Sequence, residues 1–331
     1  MHQRKLGPFK VSAIGLGCMN ISMGYGKAEE NESIRLLNKC LDAGYSFLDT
    51  ASMYGMGYSE KLIGETLGHR RDEYVLASKC GIVKNKSGDT VLDGRGEVIR
   101  QTCEESLRNL KTDAIDLYYL HRLDPKVPVE DSIGALSDLV SEGKIKTIGL
   151  SEVCAETTYR AHAVHPITAM QSEYSLWTRT PERKILSVCE ELDITFVPFS
   201  PLARSFLTGI SSNVTEVDEN DIRQSIARPR FEVENYNKNL ELLEPYKKIA
   251  DQQNCSMAQL ALAWILSRHG NRMVPIPGTK DVGHMHENAE AGDIVLSDDV
   301  TQALDELINE NTVAGRRYTD ALMASTDSEK D

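Results

Sequence analysis

Short apolar runs alternate along the chain with longer stretches in which apolar positions recur every three or four residues. This beat predicts parallel strands buried on both faces, each followed by an amphipathic helix. Eight runs stand out, at 13–17, 45–49, 74–79, 115–120, 145–150, 167–170, 194–198 and 273–276. Between them, Ile34, Leu37 and Leu41 share one helical face before Gly44, Cys103, Leu107 and Leu110 share another, and Ile133, Leu136, Leu139 and Val140 a third before Gly143. Eight such units predict an α/β fold of the (β/α)8 TIM-barrel type. Gly7-Pro8 between two short extended pieces predicts an N-terminal β-hairpin ahead of the barrel. An open doubly wound sheet fits less well, because the first strand-to-helix turn (Gly15, Gly17) lacks the third glycine of a dinucleotide fingerprint. Two connections are long: 81–96, and 201–235 after the seventh strand, which is expected to cover a ligand. The pattern reads as one unit over 1–323, followed by a polar tail, 324–331, expected to fray.

Composition narrows the partners. With 331 residues, 40% of them hydrophobic, the chain can build a substantial core. A formal net charge of −13 disfavours nucleic acid and anionic membrane as partners, since both call for concentrated Lys and Arg. The first residues lack the apolar core of a signal peptide, and no apolar run approaches the ~20 residues of a membrane span. The seven cysteines are scattered without a C-x-x-C pair, so free thiols in a reducing cytoplasm are expected. His162 with His165, and His284 with His286, lack companion ligands at metal-binding spacing, so no metal is expected.

The chemistry gathers where strands end. Asp49, Lys79 and His121 close the second, third and fourth runs, and Tyr54 sits in the short Gly-rich loop after Asp49. Singly, each has an ordinary structural reading: a cap, a surface lysine, a satisfied histidine, a loop filler. On neighbouring strands of one barrel, however, their ends converge on the face where catalysis occurs. A phenol ionises near pH ~10, and an adjacent ammonium favours its phenolate. A carboxylate holds that ammonium, and a histidine can hydrogen-bond the same substrate oxygen. The set can protonate an oxygen on which negative charge develops. It contains no hydride donor, so a reduction would need a nicotinamide.

Ordered stretches carry a resemblance across nearly the whole chain. They are Phe47-Leu48-Asp49-Thr50-Ala51 with Tyr54-Gly55, Ser106-Leu107-Arg108-Asn109-Leu110 leading to Asp116-Leu117-Tyr118-Tyr119-Leu120-His121, Gly143-Lys144-Ile145, Ser200-Pro201-Leu202, Pro277-Gly278-Thr279 and Glu287-Asn288. The chain resembles the aldo-keto reductases, and the run 171–177 is closer to their bacterial, plant and fungal branch. The resemblance implies a reversible NADP(H)-dependent reduction of an aldehyde or ketone, with NAD(H) also compatible. Asp49, Tyr54, Lys79 and His121 match the family's catalytic tetrad, with Tyr54 as general acid or base. Ser151 and Gln171 would meet the nicotinamide amide, and Phe199 would stack on its ring. Ser200, Leu202 and Arg204 would follow the pyrophosphate, Thr279 and Lys280 the 2′-phosphate, and Glu287 and Asn288 the adenine. Gly17, Met19 and Gly278 would also line the cofactor.

Three positions depart from the family pattern: Glu152 for a frequent Asn, Ser205 for a frequent Gly, and His284 for a frequent Arg near the adenosine phosphate. Tyr25, Met53 and Trp177 are candidates for an apolar substrate wall, with core packing equally open to each. The alternative function is a cofactor-binding, redox-sensing regulatory subunit with slow turnover, since channel β-subunits share the fold. A metal-dependent hydrolase on the same barrel lacks ligand clusters. The partner expected is a small carbonyl compound in the cytoplasm; nothing in the sequence speaks to oligomeric state or to which carbonyl.

Overall fold

The computed structural model of the protein describes residues 1–209 and 221–331. A hairpin of β1 (Gln3–Leu6) and β2 (Phe9–Ser12) opens the chain, turning at Gly7 with φ 54°. The parallel sheet follows: β3 (Leu16–Gly17), β4 (Phe47–Asp49), β5 (Val75–Cys80), β8 (Ile115–Leu120), β9 (Ile145–Ser151), β10 (Ile167–Glu173) and β11 (Thr195–Phe199), each paired with the next. Between β5 and β8 the connection at 81–96, read as plain loop, contains a second hairpin, β6 (Ile82–Lys84) with β7 (Thr90–Leu92). Its register is set locally, with Asn85 Oδ1 accepting from the amides of Ser87 and Asp89. That turn chemistry escaped the apolar pattern.

The eighth run closes the barrel without forming a full ladder. Val274 and Ile276 donate to the carbonyls of Phe196 and Pro198 on β11, at 3.0 and 3.1 Å. On the other side, Pro275 and Pro277 accept from Gly15 and Gly17, at 2.9 and 3.3 Å. The two prolines have no N–H to return, so pairing towards β3 runs one way only. At this seam Gly17 is required: a Cβ there would stand 2.7 Å from the Ile276 carbonyl oxygen.

Inside the barrel, Phe47, Ala77, Leu117, Tyr119, Ala169, Val197, Val274 and Ile276 pack as one cluster, with Leu6 and Val11 of the hairpin plugging it. The plug covers the end where strands begin, since the Gly7 amide donates to the Thr195 hydroxyl at the start of β11. A second glycine serves the interior directly: a Cβ on Gly149 would lie 2.3 Å from the Tyr119 ring. Around the barrel run α1 (Glu30–Asp42), α2 (Tyr58–Leu67), α3 (Gly96–Leu110), α4 (Val129–Ser141), α5 (Ala155–Val164) and α6 (Ile185–Glu191). Their apolar faces follow the expected period, although Ile34, Leu107 and Val140 lie at the margins and are only partly buried.

Two expectations need correction. The stretch 201–235 is not one long loop: α7 (Arg228–Phe231) and the start of α8 (Val233–Leu240) fall inside it, while 210–220 lies outside the described residues. The tail 324–331 does not fray. Asp327 accepts from the Cys154 amide, Asp331 from the Ala155 amide, and Thr326, Asp327 and Ser328 are buried. Its polarity, read as solvation, matches polar partners at the start of α5. The last helices are α9 (Leu243–Gln252), α10 (Met257–Ser267), α11 (Val282–Glu290), α12 (Asp298–Leu307) and α13 (Asp320–Ser325). Among the described residues, no helix is long and apolar enough to cross a membrane.

Candidate active site

Parallel register carries Asp49 and Lys79 to the same end of the barrel, Asp49 as the last residue of β4 and Lys79 near the end of β5, with His121 directly after β8. Lys79 is fully buried and donates to Asp49 Oδ1 at 2.5 Å and to the Thr50 carbonyl at 2.7 Å. Its third contact is the Tyr54 hydroxyl at 3.4 Å. The His121 ring meets the Tyr54 ring edge-on, with centroids 5.9 Å apart. The four residues matched to the tetrad thus lie together.

The loop that delivers Tyr54 is stitched down at both ends. The Thr50 amide donates to Ala77 O, the Ser52 amide and hydroxyl to Lys79 O, and the Ser59 amide to Tyr54 O. The Thr50 hydroxyl donates to that of Ser59, which donates to Cys18 O. Glu60, fully buried, accepts from Ser78 and Asn109 and ties α2 to β5 and α3. Neither Ser59 nor Glu60 announced a role, being ordinary polar residues at the start of a helical pattern.

Burial and charge set the protonation states. Burial works against the Lys79 ammonium, but Asp49 and then Tyr54 outweigh it and raise its pKa. Burial also raises the Tyr54 phenol above its ordinary value, and Lys79 is the largest opposing influence. The sequence-level reading weighed the ammonium alone; the desolvated pocket adds the stronger opposing push. His121 is held well below its ordinary pKa by burial, then by Lys79 and Arg122, so it is a neutral imidazole near pH 7.

Around this centre the expected cofactor positions fall into place unevenly. Ser151 and Gln171 are buried at the neighbouring ends of β9 and β10, and half-buried Phe199 closes β11. Both polar side chains already have partners: Gln171 donates to Asp49 Oδ2 at 2.7 Å, and Arg122 donates to Ser151 Oγ at 2.9 Å. Ser200, Ala203, Arg204 and Ser205 all take left-handed backbone, with φ 49°, 50°, 56° and 75°. At Ser205 such a φ would be adopted more easily by glycine. The amides of Leu202, Arg204 and Ser205 have no protein acceptor among the described residues. Left-handed backbone with unpaired amides is the kind of main chain that can cradle an anion.

The Arg204 side chain lies elsewhere. Its guanidinium is buried, donating to Glu173 Oε2 at 2.7 Å and to Arg317 O at 3.0 Å, so its charge is taken up within the protein. Glu152 is likewise withdrawn from any carboxamide role. Arg317 grips it with two hydrogen bonds of 3.0 and 2.6 Å, and although burial opposes ionisation, Arg317 brings its pKa down to about 2. Lys280 donates to Tyr25 O and Lys27 O at 2.8 and 3.1 Å, bridging to the loop after β3. That loop contains half-buried Met19. Gly278 precedes Thr279, whose hydroxyl accepts from the Asp281 amide. His284 is exposed in the first turn of α11, where Asp281 caps its amide, with Glu287 and buried Asn288 one turn on.

The substrate-wall candidates separate. Met53 and Tyr25 are half-buried, Met53 beside Tyr54 and Tyr25 under the Arg223 guanidinium at 5.6 Å. Trp177 is core packing: 3% exposed, it stacks on Phe206 at 4.2 Å and meets Phe231 edge-on. The aromatic residues that cover it come from the chain after β11, whose return over β10 the local pattern around Trp177 does not reveal.

The comparisons with known proteins agree with this geometry. Residues 13–309 match the model of the Aldo/keto reductase family. "Probable aldo-keto reductase 1" of Glycine max is 41% identical over 322 residues, covering 96% of this chain and 92% of that one. "Aldo-keto reductase yakc [NADP(+)]" of Schizosaccharomyces pombe is 40% identical, covering 95% and 94%. The solved structure of glycerol dehydrogenase AKR11B4 from Gluconobacter oxydans superposes with a TM-score of 0.84 at 27% identity, over 92% of this chain and 94% of that chain. A closed parallel barrel, four converging residues at its mouth and sequence relatives along almost its full length place the chain in the aldo/keto reductase family.

Proposed function

We propose that the protein is an NADP(H)-dependent reductase that converts an aldehyde or ketone to the alcohol, reversibly, with Tyr54 as the general acid. The observation that carries this is the packing of Lys79 between Asp49, at 2.5 Å, and the Tyr54 hydroxyl, at 3.4 Å, with His121 against the same phenol. NADP(H) is favoured by the likeness to the fission-yeast relative named for NADP(+), and by Lys280 and the start of α11.

When bound, the nicotinamide supplies the hydride that the side chains lack. Ser151 and Gln171 would hold its amide, Phe199 its ring, and the amides after Ser200 the pyrophosphate. Thr279, Lys280 and His284 would face the 2′-phosphate, and Glu287 with Asn288 the adenine; Gly17, Met19 and Gly278 would line the path. The neutral His121 donates an N–H to the carbonyl oxygen and fixes its position. Tyr54 Oη delivers its proton to that oxygen as charge builds on it, and the Lys79 ammonium stabilises the phenolate left behind. Asp49 keeps Lys79 charged and aimed. In the oxidative direction the phenolate takes the proton back.

The test is a panel of aldehydes and ketones assayed by loss of NADPH absorbance, run beside Tyr54→Phe. Turnover by the wild type, lost in the variant while NADPH still binds, is the result expected. Tight cofactor binding with scarcely any turnover on every carbonyl would favour a cofactor sensor instead.

A further inference from the structure

Behind the strand ends just described lies a compact, almost wholly buried set of four charges. Glu152 follows Ser151 directly, and Glu173 stands two residues after Gln171, so each acid shares a strand end with a side chain assigned to the nicotinamide. Arg317 comes from the segment leading to α13, and Arg204 from the turn after β11. All four are at most 6% exposed.

The connections among them run through both side chains and main chain. Glu152 takes left-handed backbone, φ 56°, which costs a non-glycine residue about 1 kcal/mol. Several bonds hold it there. Its amide donates to Gln171 O at 3.0 Å, its carboxylate accepts from the Glu173 amide at 2.8 Å, and its carbonyl accepts from the Ser328 amide at 3.1 Å. Arg317 grips the same carboxylate while its own carbonyl accepts from Arg204 at 3.0 Å. The C-terminal segment completes the set: Ser328 Oγ donates to Glu152 at 2.7 Å, and Arg317 Nε donates to Glu329 at 2.5 Å. The ends of β9 and β10 and the turn after β11 are therefore fastened to one another through residues 317–331.

We propose that Arg317, latched by Ser328 and Glu329, is a positioning residue for the cofactor: it fixes the strand ends that present Ser151 and Gln171 to the nicotinamide. The inference rests on the reading of those two residues given above. Stability alone is a weak reason to bury four charges, since well-packed apolar residues commonly do as well. Holding an unfavourable backbone turn at Glu152 is a task for directional bonds, which apolar packing does not perform. Removing the latch would let the main chain at Glu152 relax toward extended geometry and swing Ser151 away from its setting beside Gln171.

Arg317→Ala would strand two buried carboxylates and confound the outcome with misfolding, so the latch is better loosened from the other side. The double variant Ser328→Ala/Glu329→Ala spares Arg317 itself and removes the two side chains that latch it. The control is Lys330→Ala, which removes only an exposed partner of Asp327. Dissociation constants are measured for NADPH and for adenosine 2′,5′-bisphosphate, which has the adenine and 2′-phosphate but no nicotinamide. The double variant should weaken NADPH by ~10-fold, the order expected when a charge-assisted bond no longer preorganises a site, and leave the bisphosphate within about twofold. Lys330→Ala should change neither. Equal weakening of both ligands, or of neither, overturns the positioning role. A wild type that binds the bisphosphate but gains nothing from the rest of NADPH overturns the nicotinamide assignment itself, and the brace with it.

Discussion

Tyr54 is a weak acid made weaker by its surroundings, since burial lifts its pKa above the ordinary value and only Lys79 and lesser groups pull against that. Two substitutions separate its roles. Tyr54→Phe removes the proton and little else, so reduction of any carbonyl substrate should fall by at least ~100-fold while NADPH affinity, read by fluorescence titration, stays within about twofold. Lys79→Met removes the largest influence favouring phenolate, so the rising limb of the alcohol-oxidation pH profile should move to higher pH, and kcat should fall with it. A limb that stays in place would mean Lys79 does not tune the phenol. His284 bears on the other end of the site. A guanidinium carries a permanent charge in a planar fork that matches a phosphate. His284→Arg should therefore tighten NADPH several-fold and leave NADH nearly unmoved, as read by fluorescence titration; equal NADPH-to-NADH ratios in both proteins would remove His284 from the phosphate site. These residues were visible in the sequence because Lys79 stands near a strand end, Tyr54 in the short loop after one, and His284 at the start of a helix. The fates of Arg204 and Glu152 were not, because a charged side chain beside a site can face a ligand or a protein partner, and those partners are set by the fold: Arg204 reaches Glu173 on a neighbouring strand and the carbonyl of Arg317, and Glu152 meets Arg317 from 165 residues away.

At the level of elements, apolar runs located strands and helices well where burial is two-sided or periodic, and less well where hydrogen bonding alone defines structure. The β6–β7 hairpin has no fully buried residue and is held by its own pairing and turn bonds, so its residues carry no burial pattern. The closing segment at 273–277 pairs on both sides yet lacks the donors of a regular strand, because its prolines leave the β3 side without N–H groups. One interior contact links an element to the chemistry. Tyr119 of β8 lies flat against Gly149 of β9, with the Lys79 ammonium 5.8 Å from its ring centroid. Gly149→Ala places a Cβ where the ring stands, and should destabilise the protein by about 1–3 kcal/mol in denaturant titrations. Because the displaced ring abuts Lys79, kcat should drop more than the melting point alone would explain; a stability loss with full kcat would show that the two are uncoupled.

Across the whole molecule, the C-terminal segment makes long-range ties beside the site, and they have a pH signature. Glu152, 1% exposed, is held to a pKa of about 2, against an ordinary 4.5, with burial opposing and Arg317 prevailing. A depressed folded pKa contributes stability that is present above pH 4.5 and lost as pH falls towards 2; a shift of this size corresponds to roughly 3 kcal/mol. Glu152→Gln should accordingly be less stable than the wild type by a few kcal/mol at pH 7, and the gap in urea midpoints should narrow between pH 4.5 and 2. A gap that is constant with pH would mean the carboxylate charge is not what Arg317 holds.

By itself the sequence determined the repeating strand-and-helix order, the barrel it implies, and the four residues matched to the catalytic tetrad. The first two follow from local periodicity, and the third from the rule that adjacent parallel strands end on one face together with the resemblance to the family. Only the tertiary structure decided which charges lock one another, that Trp177 is covered, and that the polar tail is docked. Each of those outcomes depends on pairing between distant segments, and buried hydrogen bonds of that kind leave no period in the chain.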